Sequence, residues 1–470
     1  MHHQFETLPI TLNSKKVGSG SIFVAIQGMR DDGVNYIPEA IARGAVEIII
    51  ADSVILDEPI MVLCEEHNVT LTRVKNTRKA LAERAAHVHG YPAQKLHCIG
   101  ITGTKGKTTT SWIAYHLLMQ AGHRAALLST VENRMGTVTY ATELTTQQPD
   151  YMQAFLRACV NEGITHVVIE VAAQALTQHR VLGIPFAHVA WLNFSQEHGE
   201  FYASERDYWN AKLRLFEQVV PGGTIIIPAD DARFAKICSR QDVTYSRWSS
   251  ANTMAVAVNN VGAYVVCRYD DKEYRCPHLL GRHNSANLLV ALMLVHAAGV
   301  SPDVMHNLLE NFAGIPGRLN WYALPNGARA CVDYAHNPAS FEATLSALRE
   351  CTSHLVVIFG AGGERDAARR PIMGAIAARY ADIIFLTTDN PRSEDPYVIC
   401  YDIMQGIAEN MRYKVVEELD REKAIYDACK IAQHDTIIAL LGKGPDEYQL
   451  VHGRKHFFSE RAIITSMNLS

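Results

Sequence analysis

Short β-branched and aliphatic runs alternate along the chain with longer segments whose apolar positions recur at helical spacing. That is the pattern of mainly parallel strands buried beneath helices, an α/β fold. Buried strands are expected at residues 46–51, 166–171, 223–228, 355–360, 383–387 and 436–441. Near the start, Ser21-Ile-Phe-Val-Ala-Ile26 reads as a strand, and residues 36–44 as a helix closed by Gly44 ahead of the next strand. Ala86-His-Val-His-Gly-Tyr-Pro-Ala93 has the Gly and Pro punctuation of a linker before a fresh strand at 96–101. Ala313-Gly-Ile-Pro-Gly317 repeats that punctuation after a helical stretch. Three domains are expected: residues 1–93, 94–316 and 317–470.

The length agrees, since 470 residues is about three times the usual domain of roughly 150. With 48% apolar and 20% charged residues the composition is that of a soluble globular chain. Forty-four basic against 49 acidic residues leave a net charge of −5, so no global positive field points to nucleic acid or an anionic membrane. Ten scattered cysteines contain no C-x-x-C pair, which disfavours structural zinc or a disulfide scaffold and suits a reducing compartment. The first ten residues lack a signal-peptide pattern, and no apolar run reaches the roughly 18 residues that would span a bilayer. A cytoplasmic monomer acting on small molecules is expected.

The most informative segment is Gly100-Ile-Thr-Gly103-Thr104-Lys105-Gly106-Lys107-Thr108-Thr109-Thr110, set between an apolar strand and the helix-like residues 111–121. Glycines let backbone N–H groups turn inward around an anion, and a helix N-terminus adds partial positive charge. Lys107 can reach outer phosphates and Thr108 can ligate magnesium. The strict G-x-x-x-x-G-K-[ST] spacing fails by one residue at Ile101, and the plainer alternative is a glycine turn feeding a helix. Strand and helix in the right places favour a nucleoside triphosphate site.

The Gly103-to-Thr108 segment resembles the Mur ligases, ATP-dependent enzymes that add amino acids to the peptidoglycan precursor. Further motifs follow in the same order: Glu170 after a strand, His198 in Asn193-Phe-Ser-Gln-Glu-His198, Lys212 in Tyr208-Trp-Asn-Ala-Lys-Leu-Arg-Leu-Phe216, and Gly281-Arg-His-Asn-Ser-Ala-Asn287. Pro316-Gly-Arg318, Asp333-Tyr-Ala-His-Asn-Pro338, Asp389-Asn390-Pro-Arg392 and Gly442-Lys-Gly444 complete the set. Each is weak alone; the ordered set is specific and spans nearly the whole chain.

The resemblance implies a three-domain α/β protein: a small uridine-nucleotide-binding domain, a central ATPase domain and a Rossmann-like C-terminal domain. It implies transfer of the γ-phosphoryl of ATP to a carboxylate, and attack of an amine on the acyl phosphate. Glu170, with the hydroxyl of Thr108, is the expected magnesium ligand, and His198 resembles the second metal ligand. A solvated strand-end carboxylate and a structural histidine are the plainer alternatives. Lys212 resembles the lysine that the family carries as a carbamate formed with carbon dioxide, a second anion for magnesium. Asn284 and Asn287 look like adenine contacts, with N-capping by Asn284 as an alternative. Arg318 and Asp333 resemble residues contacting phosphate and ribose across a domain cleft.

The first domain carries Asn13-Ser14-Lys15-Lys-Val17, Phe23-Val-Ala-Ile-Gln-Gly28 and Asp32-Gly33. It resembles the branch that extends UDP-N-acetylmuramoyl-L-alanyl-D-glutamate, with Ser14 the uridine-contact candidate. Thr145, Thr146, Gln178 and Arg180 resemble contacts to the muramoyl dipeptide. Asp389, Asn390, Arg392, Gly442 and Asp446 resemble the amino-acid site, and arginine at 392 is the form associated with meso-diaminopimelate, whose distal carboxylate suits a guanidinium. Three motifs depart from the family's usual form: Glu170-Val-Ala-Ala-Gln174 replaces Glu-Val-Ser-Ser-His, Glu197-His198 replaces Asp-His, and Gly442-Lys-Gly-Pro-Asp446 replaces Gly-Lys-Gly-His-Glu. The expectation is a diaminopimelate-adding ligase. The alternatives are a related ligase for another carboxylate and amine, such as a lysine-adding one, or a nucleotide-binding paralogue without catalysis.

Overall fold

The computed structural model describes residues 5–28, 31–142, 144–195, 201–236, 238, 240–254 and 264–467. It divides into two compact units, residues 1–250 with 289–308, and residues 251–288 with 309–470. The helix Arg282–Ala297 therefore starts in the second unit and ends in the first.

The first unit holds two sheets. Strands Ile10–Thr11, Ser21–Val24, Ala45–Ala51 and Thr70–Val74 pair in that order, all parallel. The larger sheet runs Thr244–Trp248, Val219–Pro228, Phe186–Trp191, His97–Thr102, His166–Glu170 and Ala125–Leu128 in parallel. An antiparallel pair, Asn133–Met135 and Val138–Tyr140, extends its edge. Every residue of His166–Glu170 is buried, as expected for a central parallel strand covered on both faces. The two sheets are pinned together at Asp150, near the start of helix Pro149–Asn161. Its buried carboxylate accepts from Thr11 Oγ1 at 2.8 Å and Leu12 N at 3.4 Å. Burial pushes that carboxyl above its ordinary range against those hydrogen bonds.

In the second unit, strands Asn320–Ala323, Arg329–Asp333, Ile437–Leu441, Leu355–Phe359, Ile383–Leu386 and Val415–Glu417 form one sheet, antiparallel only at its first pair. Helices Pro338–Arg349, Arg369–Tyr380, Pro396–Met404, Arg421–Ile431 and Glu460–Met467 accompany it. Two hairpins were not expected from the sequence. Tyr264–Tyr269 and Lys272–Pro277 turn at Asp270 and Asp271, and Tyr448–Val451 and Arg454–Phe457 turn at His452 and Gly453. All four turn residues have positive φ, the two-residue turn whose twist matches a hairpin.

The segment 86–93 read as a linker is partly helix: Thr77–Val88 reaches into it as far as Val88, and the chain turns at Gly90 and Tyr91. The helix expected from residue 111 starts at Lys107, because Thr108, Thr109, Thr110 and Ser111 are buried despite being polar.

Candidate functional site

Parallel strands end on one edge, and in the larger sheet that edge carries the glycine loop after Thr102, Glu170 at the end of its strand, and the segment after Trp191. This is where open α/β sheets bind ligands. Gly106, at φ 85°, caps the helix Lys107–Gln120 in a left-handed conformation and offers no side-chain acceptor to the first helical N–H groups. Lys107 Nζ folds over the loop, donating to the carbonyls of Gly103 at 2.9 Å and Thr104 at 3.1 Å. Lys105 N donates to Asn193 Oδ1 at 2.8 Å, tying the loop to the segment after Trp191. Thr109 lies in the first turn of that helix.

Glu170 is fully buried at the floor. Its carboxylate accepts from Thr108 Oγ1 at 3.1 Å, Ser111 Oγ at 3.4 Å, Thr130 N at 3.0 Å, Thr130 Oγ1 at 3.0 Å and Ser129 Oγ. Hydroxyls and an amide thus satisfy a buried carboxylate, and the shared Thr108–Glu170 pair is a hard oxygen set that suits magnesium. Among the described residues no group of three His, Cys, Asp or Glu converges on one point. A site completed by phosphate oxygens and water needs none. His198 lies outside the described residues.

Lys212, on helix Glu205–Glu217, is buried, donates to Gly103 O at 2.9 Å and lies 4.5 Å from the Tyr208 ring centroid. The structure therefore brings Lys212 to the glycine loop itself. A string of polar contacts leads away from Glu170. Thr146 Oγ1 donates to the Glu170 carbonyl at 2.7 Å, Arg180 Nη1 donates to the Thr146 carbonyl at 2.8 Å, and Thr145 Oγ1 lies 3.2 Å from Thr130 Oγ1. Arg180 also binds Gln178 Oε1 through Nε and Nη2, at 3.1 and 2.8 Å. Burial, with Arg78 adding like charge, lowers the Arg180 guanidinium to about 10. Arg78 was not singled out from the sequence, and only its position near Arg180 in the fold marks it. Ser14 is buried and donates to Glu39 Oε2 at 2.7 Å, which lowers that carboxyl. Its hydroxyl is engaged within the small domain.

In the second unit, Asn284 and Asn287 share a helix face, and their amides bond to each other at 2.9 Å. Asn284 Nδ2 donates to Leu280 O, so Asn284 sits inside the helix and the N-capping alternative does not hold. Asp333 accepts from Leu319 N at 3.0 Å, Ala335 N at 2.9 Å and Thr344 Oγ1 at 3.3 Å. Its carboxylate braces the turn that carries Arg318, whose guanidinium lies 5.0 Å from the Tyr334 ring centroid.

Asp389, Asn390, Arg392, Gly442 and Asp446 come together at the ends of strands Ile383–Leu386 and Ile437–Leu441. Gly442 has φ 111°, and a Cβ there would collide with Asp389 Oδ2, so only glycine lets the two loops touch. Arg392, also at positive φ, is held by Arg392 N to Leu450 O and His452 N to Arg392 O, both 2.9 Å. Its Nη1 donates to Gly363 O. Arg365 borders the same place, since a Cβ built at Gly362 would meet both Arg392 Nη1 and Arg365 Cγ. Asp446 is pushed up by burial, with Asp389 adding to the shift and Lys443 opposing it.

Family profiles match residues 9–89 (Mur ligase family, catalytic domain), 101–295 (Mur ligase middle domain) and 317–444 (Mur ligase, glutamate ligase domain). Proteins of Aquifex aeolicus and Clostridium tetani, both named UDP-N-acetylmuramoyl-L-alanyl-D-glutamate--2,6-diaminopimelate ligase, are 35% and 33% identical over 97% of this chain and 92% and 93% of their own. A solved structure of the same name matches with TM-score 0.66 at 26% identity, covering 98% of this chain and 94% of the other. The MurF ligase of Thermotoga maritima in complex with ADP matches in fold with TM-score 0.65 at 19% identity, covering 100% of this chain and 97% of that one.

Proposed function

Because the chain belongs to the Mur ligase family, we propose that it is the ATP-dependent ligase joining UDP-N-acetylmuramoyl-L-alanyl-D-glutamate to 2,6-diaminopimelate. The observation that carries this reading is the match, over nearly its full length, to relatives bearing that name. The reaction makes the D-glutamyl side-chain carboxylate electrophilic by transfer of the γ-phosphoryl of ATP. The amine then adds to the acyl phosphate, and inorganic phosphate leaves as the amide forms.

In this scheme the backbone N–H groups of the loop at 103–108 orient the phosphates, and Lys107 leaves its two carbonyl partners to pair with the transferring group. Bound magnesium supplies neutralisation of phosphate charge. Thr108 and Glu170 are its proposed protein ligands, with His198 and Lys212 as a carbamate. For the carbamate, the neutral amine of Lys212 adds to carbon dioxide and releases one proton. The buried place of Lys212 beside Gly103 supports this position for the modification. Arg180 is proposed to pair with an anionic group of the muramoyl dipeptide, and Arg392 with the distal carboxylate of the diamino acid. Ser14, Asn284, Asn287, Arg318 and Asp333 keep the nucleotide roles that their motifs imply. The ten free thiols fit a reducing cytoplasm.

A second reading, a ligase for a different carboxylate and amine, is favoured by Ala172-Ala173-Gln174 and Pro445-Asp446. ADP release measured with several UDP-muramoyl peptides, each crossed with diaminopimelate, lysine and no amine, separates the two. Turnover that requires diaminopimelate supports the first; turnover with another pair alone replaces it.

A further inference from the structure

Lys443, the middle residue of Gly442-Lys-Gly444, is fully buried. Its Nζ lies 3.3 Å from Asn390 Oδ1 and 4.0 Å from Asp389 Oδ1, and about equally far from two aromatic rings, 5.9 Å from the centroid of Tyr448 and 5.8 Å from that of Phe458. It thereby joins three pieces of chain: the loop of Asp389 and Asn390, its own loop between Gly442 and Gly444, and the hairpin Tyr448–Val451 with Arg454–Phe457. A second donor reaches the same Asn390 atom, Leu450 N at 2.8 Å. An ammonium and a backbone N–H can only donate, so the amide atom facing both is the oxygen. With both its lone pairs taken, Asn390 can serve a ligand only through its Nδ2 hydrogens.

We infer that Lys443 is a positioning residue for the amino-acid substrate: it holds Asn390 as a pure donor beside Arg392 and leaves Asp389 as the acceptor. The loop then presents opposite chemistries side by side, donors for a carboxylate and a carboxylate for an ammonium. That is the complement of one zwitterionic amino-acid terminus, and a plain amine matches only half of it. Burial pulls the Lys443 ammonium below its usual range while Asp389 opposes that shift, so the loss of either partner would be felt by the other. This inference rests on the proposed ligase activity and names how that site chooses its amine.

The test uses the full-length enzyme with Lys443→Met, which keeps the volume and removes the charge, and Asn390→Asp, which keeps Lys443 and removes the donor. Steady-state kinetics are measured for ATP, the UDP-muramoyl dipeptide, diaminopimelate and lysine, alongside thermal unfolding. Lys443→Met is expected to raise KM for diaminopimelate at least tenfold, with KM for ATP and the dipeptide within twofold. Asn390→Asp is expected to cost diaminopimelate at least tenfold and lysine much less. A parent that ignores diaminopimelate overturns the ligase reading beneath the inference. A parent that uses it while Lys443→Met keeps its KM, or weakens all substrates alike, overturns only the role of Lys443. If Lys443→Met fails to fold, Asn390→Asp decides: unchanged discrimination between the two amines overturns the donor assignment.

Discussion

At Lys107 the cost of losing one side chain falls on chemistry rather than folding. The ammonium bridges two carbonyls of its own loop, a tether that contributes about 1 kcal/mol to stability. Its charge is expected to matter far more during phosphoryl transfer, so Lys107→Ala should lower kcat about 100-fold or more while the thermal midpoint barely moves. Normal turnover of the variant would remove the loop from catalysis. Arg392 tests the substrate in the same way. If its guanidinium pairs with the distal carboxylate, Arg392→Ala should cost diaminopimelate about 2–5 kcal/mol in kcat/KM and lysine much less. Equal losses on both amines, or a parent preferring lysine, would reject that pairing. Lys107 stood out in the sequence through the spacing of its glycine loop, and Arg392 through the resemblance of Asp389-Asn-Pro-Arg392 to a family motif. Lys443 did not, because its burial and its Asn390 contact come from a segment more than fifty residues away in the chain.

Elements are held where their ends meet the site, and one buried ion pair does this for two strands at once. Arg421 and Glu460, both almost fully buried, are 2.7 Å apart. Arg421 Nη2 donates to Leu441 O at 2.9 Å and Nη1 to Thr388 O at 3.4 Å, the residues just before Gly442 and Asp389. Removing one partner strands the other as a buried charge, so Arg421→Met is expected to destabilise the protein by about 3–5 kcal/mol in denaturant unfolding. A loss under 1 kcal/mol would show that water reaches Glu460. The main parallel strands were legible in the sequence, since their residues are apolar on both faces. The hairpin of Tyr264–Tyr269 and Lys272–Pro277 was not, because its second strand carries Lys272, Glu273 and Arg275 and it turns at Asp270-Asp271 without a glycine. The first turn of helix Lys107–Gln120 was missed for a related reason: Thr108 and Ser111 are buried by hydrogen bonds to Glu170, not by apolar periodicity.

On the scale of the whole sheet, the edge opposite the glycine loop at 103–106 has its own character. His97 and His166 begin adjacent parallel strands and stack with centroids 5.0 Å apart, and His123 packs 4.4 Å from His166. His188, on the strand beyond, is buried with no hydrogen-bond partner for Nδ1 among the described residues. His166 also meets Thr165 Oγ1 at 2.8 Å from Nδ1. Burial first, and the neighbouring histidines second, lower both His166 and His188 to about 4. The unfolded chain takes up these protons near pH 6.5 and the folded chain only near 4, so unfolding consumes protons in that window. The contribution is fully present above pH 6.5 and is lost as pH falls toward 4, on the order of 3 kcal/mol for each histidine. Thermal unfolding of the parent is therefore expected to fall steeply between pH 7 and about pH 5, and the double variant His166→Gln, His188→Gln to fall less over the same range. Kinetics measured at pH 7.5 on that variant should stay close to the parent, because these rings sit at the far ends of the strands from Glu170 and the loop. Parallel midpoint curves for parent and variant would show that groups other than these two histidines set the acid limit of the fold.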